Sequence, residues 1–125
     1  MARILVAEDE AALRGQIVRA LMADGIVAVA AADGGEALDV LVRENGRFDV
    51  LLTDIKMPVM DGIALALAAA RDYPDLIILL MTGFADQRER ASGLDALIHD
   101  ILTKPFALAD LQQAIREALA VKGHG

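Results

Sequence analysis

The sequence predicts a doubly wound α/β domain: one five-stranded parallel sheet in the order 2-1-3-4-5, with five helices on its two faces. Apolar runs of strand length alternate strictly with segments of helical period, and the connections between them are short. Such alternation implies parallel strands joined by right-handed crossovers. Four of the five runs also end in a charged or hydroxyl residue: Glu8-Asp9, Asp54, Thr82 and Lys104. In sheets of this kind ligands bind outside the carboxyl ends of the strands. The run ending at Ala31-Ala32 delivers no such group, which fits an outer position for strand two in that order.

The elements follow from hydrophobic period and punctuation. Ile4 to Ala7 reads as a buried strand, and Ala11 to about Asp24 as a helix with Leu13, Ile17, Ala20 and Leu21 along one stripe. Gly25 closes it, and Ile26 to Ala31 is the second strand. Asp33-Gly34-Gly35-Glu36 has capping-box spacing and opens a helix expected to carry Leu38, Leu41 and Val42 inward. Asp49 to Thr53 is the third strand. The third helix runs from Asp61 or Gly62 to Arg71, where Tyr73-Pro74 ends it, and Leu76 to Met81 is a continuous apolar fourth strand. Asp86 to about Ser92 predicts a short fourth helix and Leu97 to Leu102 the fifth strand. Leu108, Leu111, Ile115, Ala118 and Leu119 mark the last helix. The expected organisation is one domain over 1–121 and a frayed tail over 122–125.

Composition narrows the function. Nineteen acids against twelve Lys and Arg leave a net charge of −7, with no basic run to track a phosphate backbone, and only 3% of residues are aromatic. Direct nucleic-acid binding is therefore not expected. The absence of cysteine excludes a disulfide framework, a thiolate nucleophile and a cysteine zinc site. No apolar stretch approaches the roughly 18 residues that span a bilayer, so no membrane insertion and a cytoplasmic location are expected. No internal repeat or low-complexity tract is present.

The residues at the strand ends point to hard-cation and phosphoryl chemistry. Three carboxylates, a hydroxyl and an ammonium, without a thiol or histidine, suit Mg²⁺, which one or two carboxylates usually hold. Crowded acids resist joint ionisation unless a divalent cation or the Lys104 ammonium offsets them. Asp54 then becomes a usable nucleophile toward phosphorus. Singly, each residue has an ordinary explanation: Asp54 as a turn residue, Glu8-Asp9 as a helix start, Thr82 as a loop hydroxyl, Lys104-Pro105 as a solvated turn. Jointly, they occur in the right places and order. Asp61 reads as an N-cap of the third helix, the methionines as packing, and His99 and His124 as neither ligands nor catalysts.

On these residues the chain resembles the receiver domains of two-component response regulators, over essentially its whole length; the fold is of the flavodoxin or chemotaxis-receiver type. The resemblance implies Asp54 as phosphoacceptor, Asp9 as a Mg²⁺ ligand, Glu8 as a second acid, and the Lys56 carbonyl as a further ligand. It makes Thr82 the switch hydroxyl and Lys104 the group neutralising the phosphoryl oxygens, with a cis peptide before Pro105 that aims the lysine. Lys56 and Phe84, two residues past Asp54 and Thr82 respectively, are expected to flank the phosphoryl group. A histidine kinase or histidine phosphotransfer protein is the implied donor. The stretches LLTDIKMPVMDGIALALAAARD and TGFADQRERASGLDALIHDILTKPF are further similar to stand-alone receivers of the CpdR type in alphaproteobacterial cell-cycle circuits. That narrower resemblance implies a ClpX-type protease as downstream partner and recruitment to a cell pole.

The chain departs from the family at Ile101, three residues before the lysine, where a Tyr or Phe is usual. An aromatic flip cannot report phosphorylation here. The segment before it is unusually apolar, and Leu94, Ile98 and Ile101 are expected to anchor a protein partner on the fourth-helix and fifth-strand surface. Other readings of the same residues are an aspartate-nucleophile phosphatase or phosphotransferase and a phosphate sink. The first is disfavoured because such hydrolases place a second Asp two residues after the nucleophile, where this chain has Lys56. A flavin or dinucleotide binder is disfavoured because Ala7-Glu8-Asp9-Glu10 would repel a phosphate.

Overall fold

The computed structural model describes residues 1–83 and 91–122. Strands β1 Arg3–Ala7, β2 Val27–Ala31, β3 Val50–Asp54, β4 Ile77–Thr82 and β5 Asp100–Thr103 form one parallel sheet in the order β2-β1-β3-β4-β5, as expected. The described residues contain four α-helices, α1 Ala11–Ala23, α2 Gly34–Arg43, α3 Gly62–Asp72 and α4 Leu108–Val121, and a 3-10 turn over Ser92–Leu94. The helix expected from Asp86 falls mainly on 84–90, outside the described residues, as does Phe84. Lys122 ends α4 and donates from Nζ to the Asp75 carbonyl at 2.6 Å; the rest of the expected tail, 123–125, is outside the described residues.

Alternate residues of each central strand feed two separate cores, because successive side chains point to opposite faces. Leu5, Leu51, Ile78 and Leu80 pack on one face with Ala37 and Leu41 of α2 and Leu65 and Ala69 of α3. Ile4, Val6, Leu52, Leu79 and Met81 pack on the other with Ile17 and Leu21 of α1 and Leu111, Ile115 and Leu119 of α4. Burial on both faces explains why β3 and β4 read as continuous apolar runs.

The helix ends bear out the local chemistry. Asp33 accepts a hydrogen bond from the Glu36 N–H at 2.8 Å, while the Glu36 carboxylate accepts from Ala32 N–H at 3.1 Å. Two donors at the start of α2 are thereby satisfied. After α1, Gly25 at φ +76° closes a Schellman turn in which Ile26 N–H donates to the Leu21 carbonyl and Gly25 N–H to that of Met22.

Two expectations need correction. Val42 does not face the core but is 65% exposed, whereas Ala37, Val40 and Leu41 are buried. One residue further along a helix turns the side chain about 100° away from the Leu41 direction. The fifth strand starts at Asp100, not Leu97. Leu97 and Ile98 N–H groups both donate back to the Leu94 carbonyl, at 2.8 and 3.1 Å, so this apolar stretch continues a turn before it can pair with β4. Conversely, β3 and β4 each extend one residue beyond their predicted ends, which places Asp54 and Thr82 inside the hydrogen-bonded sheet.

The loop after β3 is tightly clamped. Gly62 N–H donates to the Ile55 carbonyl at 2.7 Å, and a Cβ on Gly62 would collide with the Asp54 carbonyl oxygen. Gly62→Ala is expected to destabilise the fold by about 2–4 kcal/mol, since backbone must move to admit the methyl group. Gly93→Ala, with open space around it, should change stability by less than about 0.5 kcal/mol. Urea unfolding of both variants checks this; equal midpoints would contradict it.

Candidate functional site

The strand order brings the separate carboxylates together. β1 and β3 are neighbours, paired from Ile4–Val50 through Ala7–Thr53, so the acids that follow Ala7 and Thr53 emerge side by side. Glu8 is fully buried, Asp54 is 6% exposed and Asp9 faces solvent. One oxygen from each of the three lies within 4.8 Å of the others.

Lys104 bridges two of them. Its Nζ donates to Glu8 Oε1 at 2.6 Å and to Asp54 Oδ2 at 3.0 Å. Its backbone N–H donates to the Thr82 carbonyl at 2.7 Å, and the Lys104–Pro105 peptide is cis, as the resemblance implied. Thr82 ends β4 opposite Thr103 and is 1% exposed. The other Glu8 oxygen, Oε2, accepts from the Glu10 N–H at 3.0 Å. Glu8 is therefore occupied at both oxygens, whereas the Asp9 carboxylate accepts no hydrogen bond among the described residues.

The electrostatics of this cluster are unbalanced. Burial pushes the Glu8 carboxyl above its ordinary value, and the nearby Asp54 charge adds to that, although bonds from Lys104 and Glu10 N–H pull it down. Burial likewise raises Asp54, with Lys104 opposing and Asp9 reinforcing the shift. Burial works to lower Lys104, but the bonds and charges of Glu8 and Asp54 outweigh it and hold the ammonium above its ordinary value. One ammonium is too little charge for three crowded acids. The donor set is all hard oxygen, with one acid free and exposed, and it fits Mg²⁺.

The remaining predicted residues are spread around this centre. Lys56 lies two residues beyond Asp54 in the loop and is exposed, while Asp61 caps α3 by accepting from the Ala64 N–H at 2.9 Å. Leu94, Ile98 and Ile101 are each half-buried, and Ile98 and Ile101 lean on the core beneath α2 and α3. Together with Asp95, His99 and Asp100, the two isoleucines line a groove of about 290 Å³ on the β5 edge of the sheet. His99 precedes β5 and is exposed. Arg14 was not among the predicted site residues, yet its Nη1 donates to the Glu8 carbonyl at 2.9 Å. The only sequence signal for it is its place one turn into the helix that follows the acid pair.

Comparison with known proteins agrees with this geometry. The family model described as the response regulator receiver domain matches residues 4–116. The chain is 39% identical over 117 residues to the response regulator MprA of Mycobacterium sp. (strain KMS), covering 94% of this chain and 50% of that relative. It thus spans about half the length of the curated relatives it matches. A response regulator receiver domain protein from Clostridium thermocellum superposes with a TM-score of 0.89 at 28% identity, covering 98% of both chains. The response regulator TrrA from Thermotoga maritima, solved in complex with Mg²⁺ and BeF, gives a TM-score of 0.84 at 27% identity, over 94% of this chain and 99% of that one. With this match and its acidic strand-end cluster, the chain belongs to the response regulator receiver domains, which carry phosphorylation-based signalling in two-component systems.

Proposed function

We infer that this domain takes a phosphoryl group from a histidine phosphodonor onto Asp54, in the presence of Mg²⁺, and thereby changes its affinity for a protein partner. The observation that carries this reading is the convergence of Asp54, Glu8, Asp9 and Lys104 on one point. An Asp54 carboxylate oxygen attacks phosphorus, the P–N bond to the donor imidazole breaks, and the departing nitrogen keeps the electron pair and gains a proton. Asp9, Asp54 and the Lys56 carbonyl, with Glu8 beside them, would hold Mg²⁺, whose positive charge would let one anion approach another. Lys104 leaves its carboxylate partners to contact the new phosphoryl oxygens. A groove of about 480 Å³ lined by Glu10, Leu13, Gln16, Lys104 and Phe106 gives a donor side chain room beside the lysine.

Output follows from what the acyl phosphate adds. Roughly two negative charges appear at a buried strand end, and the Thr82 hydroxyl turns toward them. Because Thr82 and Lys104 share a backbone hydrogen bond, that shift reaches β5 and the groove at Ile98 and Ile101. Coupling of about 1–3 kcal/mol would change partner affinity by roughly 5- to 150-fold. No turnover of external substrates is expected, since Lys56 occupies the place where aspartate hydrolases carry a general acid. The resemblance to the CpdR type makes a ClpX-type protease the partner to test, in cell-cycle control, with cytoplasmic placement and recruitment to a cell pole.

Three outcomes check this reading. Asp54→Ala is expected to lose all dependence of partner affinity on phosphodonor and Mg²⁺, measured by calorimetry with purified ClpX; retained dependence would contradict the assignment. Ile101→Ala should weaken partner binding by about tenfold while the rate of phosphate uptake stays unchanged. Lys104→Ala should lower the midpoint of metal-free thermal unfolding, because two buried acids are left without their cation. Added Mg²⁺ should recover most of that loss; no recovery would argue against a cation at these acids.

A further inference from the structure

The loop that carries Glu8 and Asp9 lacks the usual means of being held. Glu10 stands at the N-cap of α1 but makes no side-chain cap, and the first turn of the helix contains no acidic residue. Two side-chain contacts take the place of a cap. Glu8 Oε2 accepts from the Glu10 N–H at 3.0 Å, and Arg14 Nη1 donates to the Glu8 carbonyl at 2.9 Å while lying 3.5 Å from that of Asp9.

Arg14 is an odd choice for a cation site on charge alone. A guanidinium against the backbone of the acid pair repels Mg²⁺, so electrostatics by itself would make the arginine an inhibitor of metal binding. Its other effect has the opposite sign. A charged hydrogen bond to the Glu8 carbonyl, about twice as strong as a neutral one, fixes the peptide between Glu8 and Asp9 and with it the direction in which the Asp9 carboxylate leaves the chain. The Asp9 carboxylate accepts no hydrogen bond among the described residues, and it sits on an exposed turn where an unheld loop would sample other directions.

We propose that Arg14 is a positioning residue of the metal site: by holding the carbonyls of Glu8 and Asp9 from α1, it presents the Asp9 carboxylate toward Asp54 before the cation arrives. This rests on the reading of the acid cluster as a Mg²⁺ site. Preorganisation of this kind raises affinity by sparing the cation the cost of ordering its ligands.

The two effects of Arg14 predict opposite signs, which makes the test decisive. Mg²⁺ affinity is measured by calorimetry on the unphosphorylated full chain, for wild type, Arg14→Ala, Arg14→Lys and, as a distant charge control, Arg71→Ala, an exposed residue in the last turn of α3. Unfolding midpoints in EDTA show that each variant is folded. Positioning predicts that Arg14→Ala weakens Mg²⁺ binding by roughly tenfold, that Arg14→Lys recovers part of it, and that Arg71→Ala leaves it unchanged. Equal or tighter binding in Arg14→Ala would overturn the proposal, as would a loss that Arg14→Lys does not reduce at all. If wild type itself bound no Mg²⁺, the metal-site reading would fail first; wild-type binding with no loss in Arg14→Ala would sink only the role of Arg14.

Discussion

The Lys104 ammonium, shared between Glu8 and Asp54, is the interaction on which this site depends. Its partners lie 96 and 50 residues away in the chain, and they meet only because strands one and three are neighbours and the loop after strand five turns back over them. Removing such a cation leaves buried acids uncompensated, a costly state. The same arrangement is deliberately short of positive charge: burial raises both carboxyls even with the lysine in place. Acids held this way stand to gain from a divalent cation, which would supply the charge that one lysine does not.

Placement of the reactive groups within the sheet limits how they can move. Asp54 and Thr82 are each the final paired residue of a strand, so their backbones are fixed, and the Asp54 carboxylate meets Lys104 beyond the strand end. Lys104 is tied through its N–H to Thr82. On the proposed function, a change at the acids would travel along the edge strand rather than into the two cores, whose residues are almost wholly buried. β5 is the least buried strand of the sheet, and Ile101 in it and Ile98 before it rest on the core without being enclosed by it. With no aromatic at Ile101 to swing between two states, the proposed output runs through shifts of this half-buried edge and the turn before it.

What was legible in the sequence was what local chemistry decides. The continuous apolar runs marked the central strands, the Asp33 and Asp61 caps marked two helix starts, and the residues at the strand ends marked the site. The misreadings came where contacts distant in sequence prevail. Leu97 and Ile98 are apolar enough for a strand, but the Leu94 carbonyl takes both of their backbone donors, and His99 N–H is the first to reach β4, at the Ile78 carbonyl. Val42 is apolar on the solvent side of α2, which hydrophobicity alone cannot reveal. Arg14 looked like any charged helix residue, because a side chain that bonds backbone carbonyls leaves no pattern of residue types. The Gly62 collision with the Asp54 carbonyl is likewise invisible until the loop is folded.

Borohydride reduction of the chain after incubation with Mg²⁺ and acetyl phosphate, followed by peptide mapping, locates the acyl phosphate. Reduction converts a phosphorylated aspartate to homoserine. The account predicts homoserine at position 54, within the tryptic peptide Phe48 to Lys56, and none when Mg²⁺ is withheld. Homoserine at position 9, a reduced glutamate at position 8, or no reduced residue in fully folded protein would contradict it.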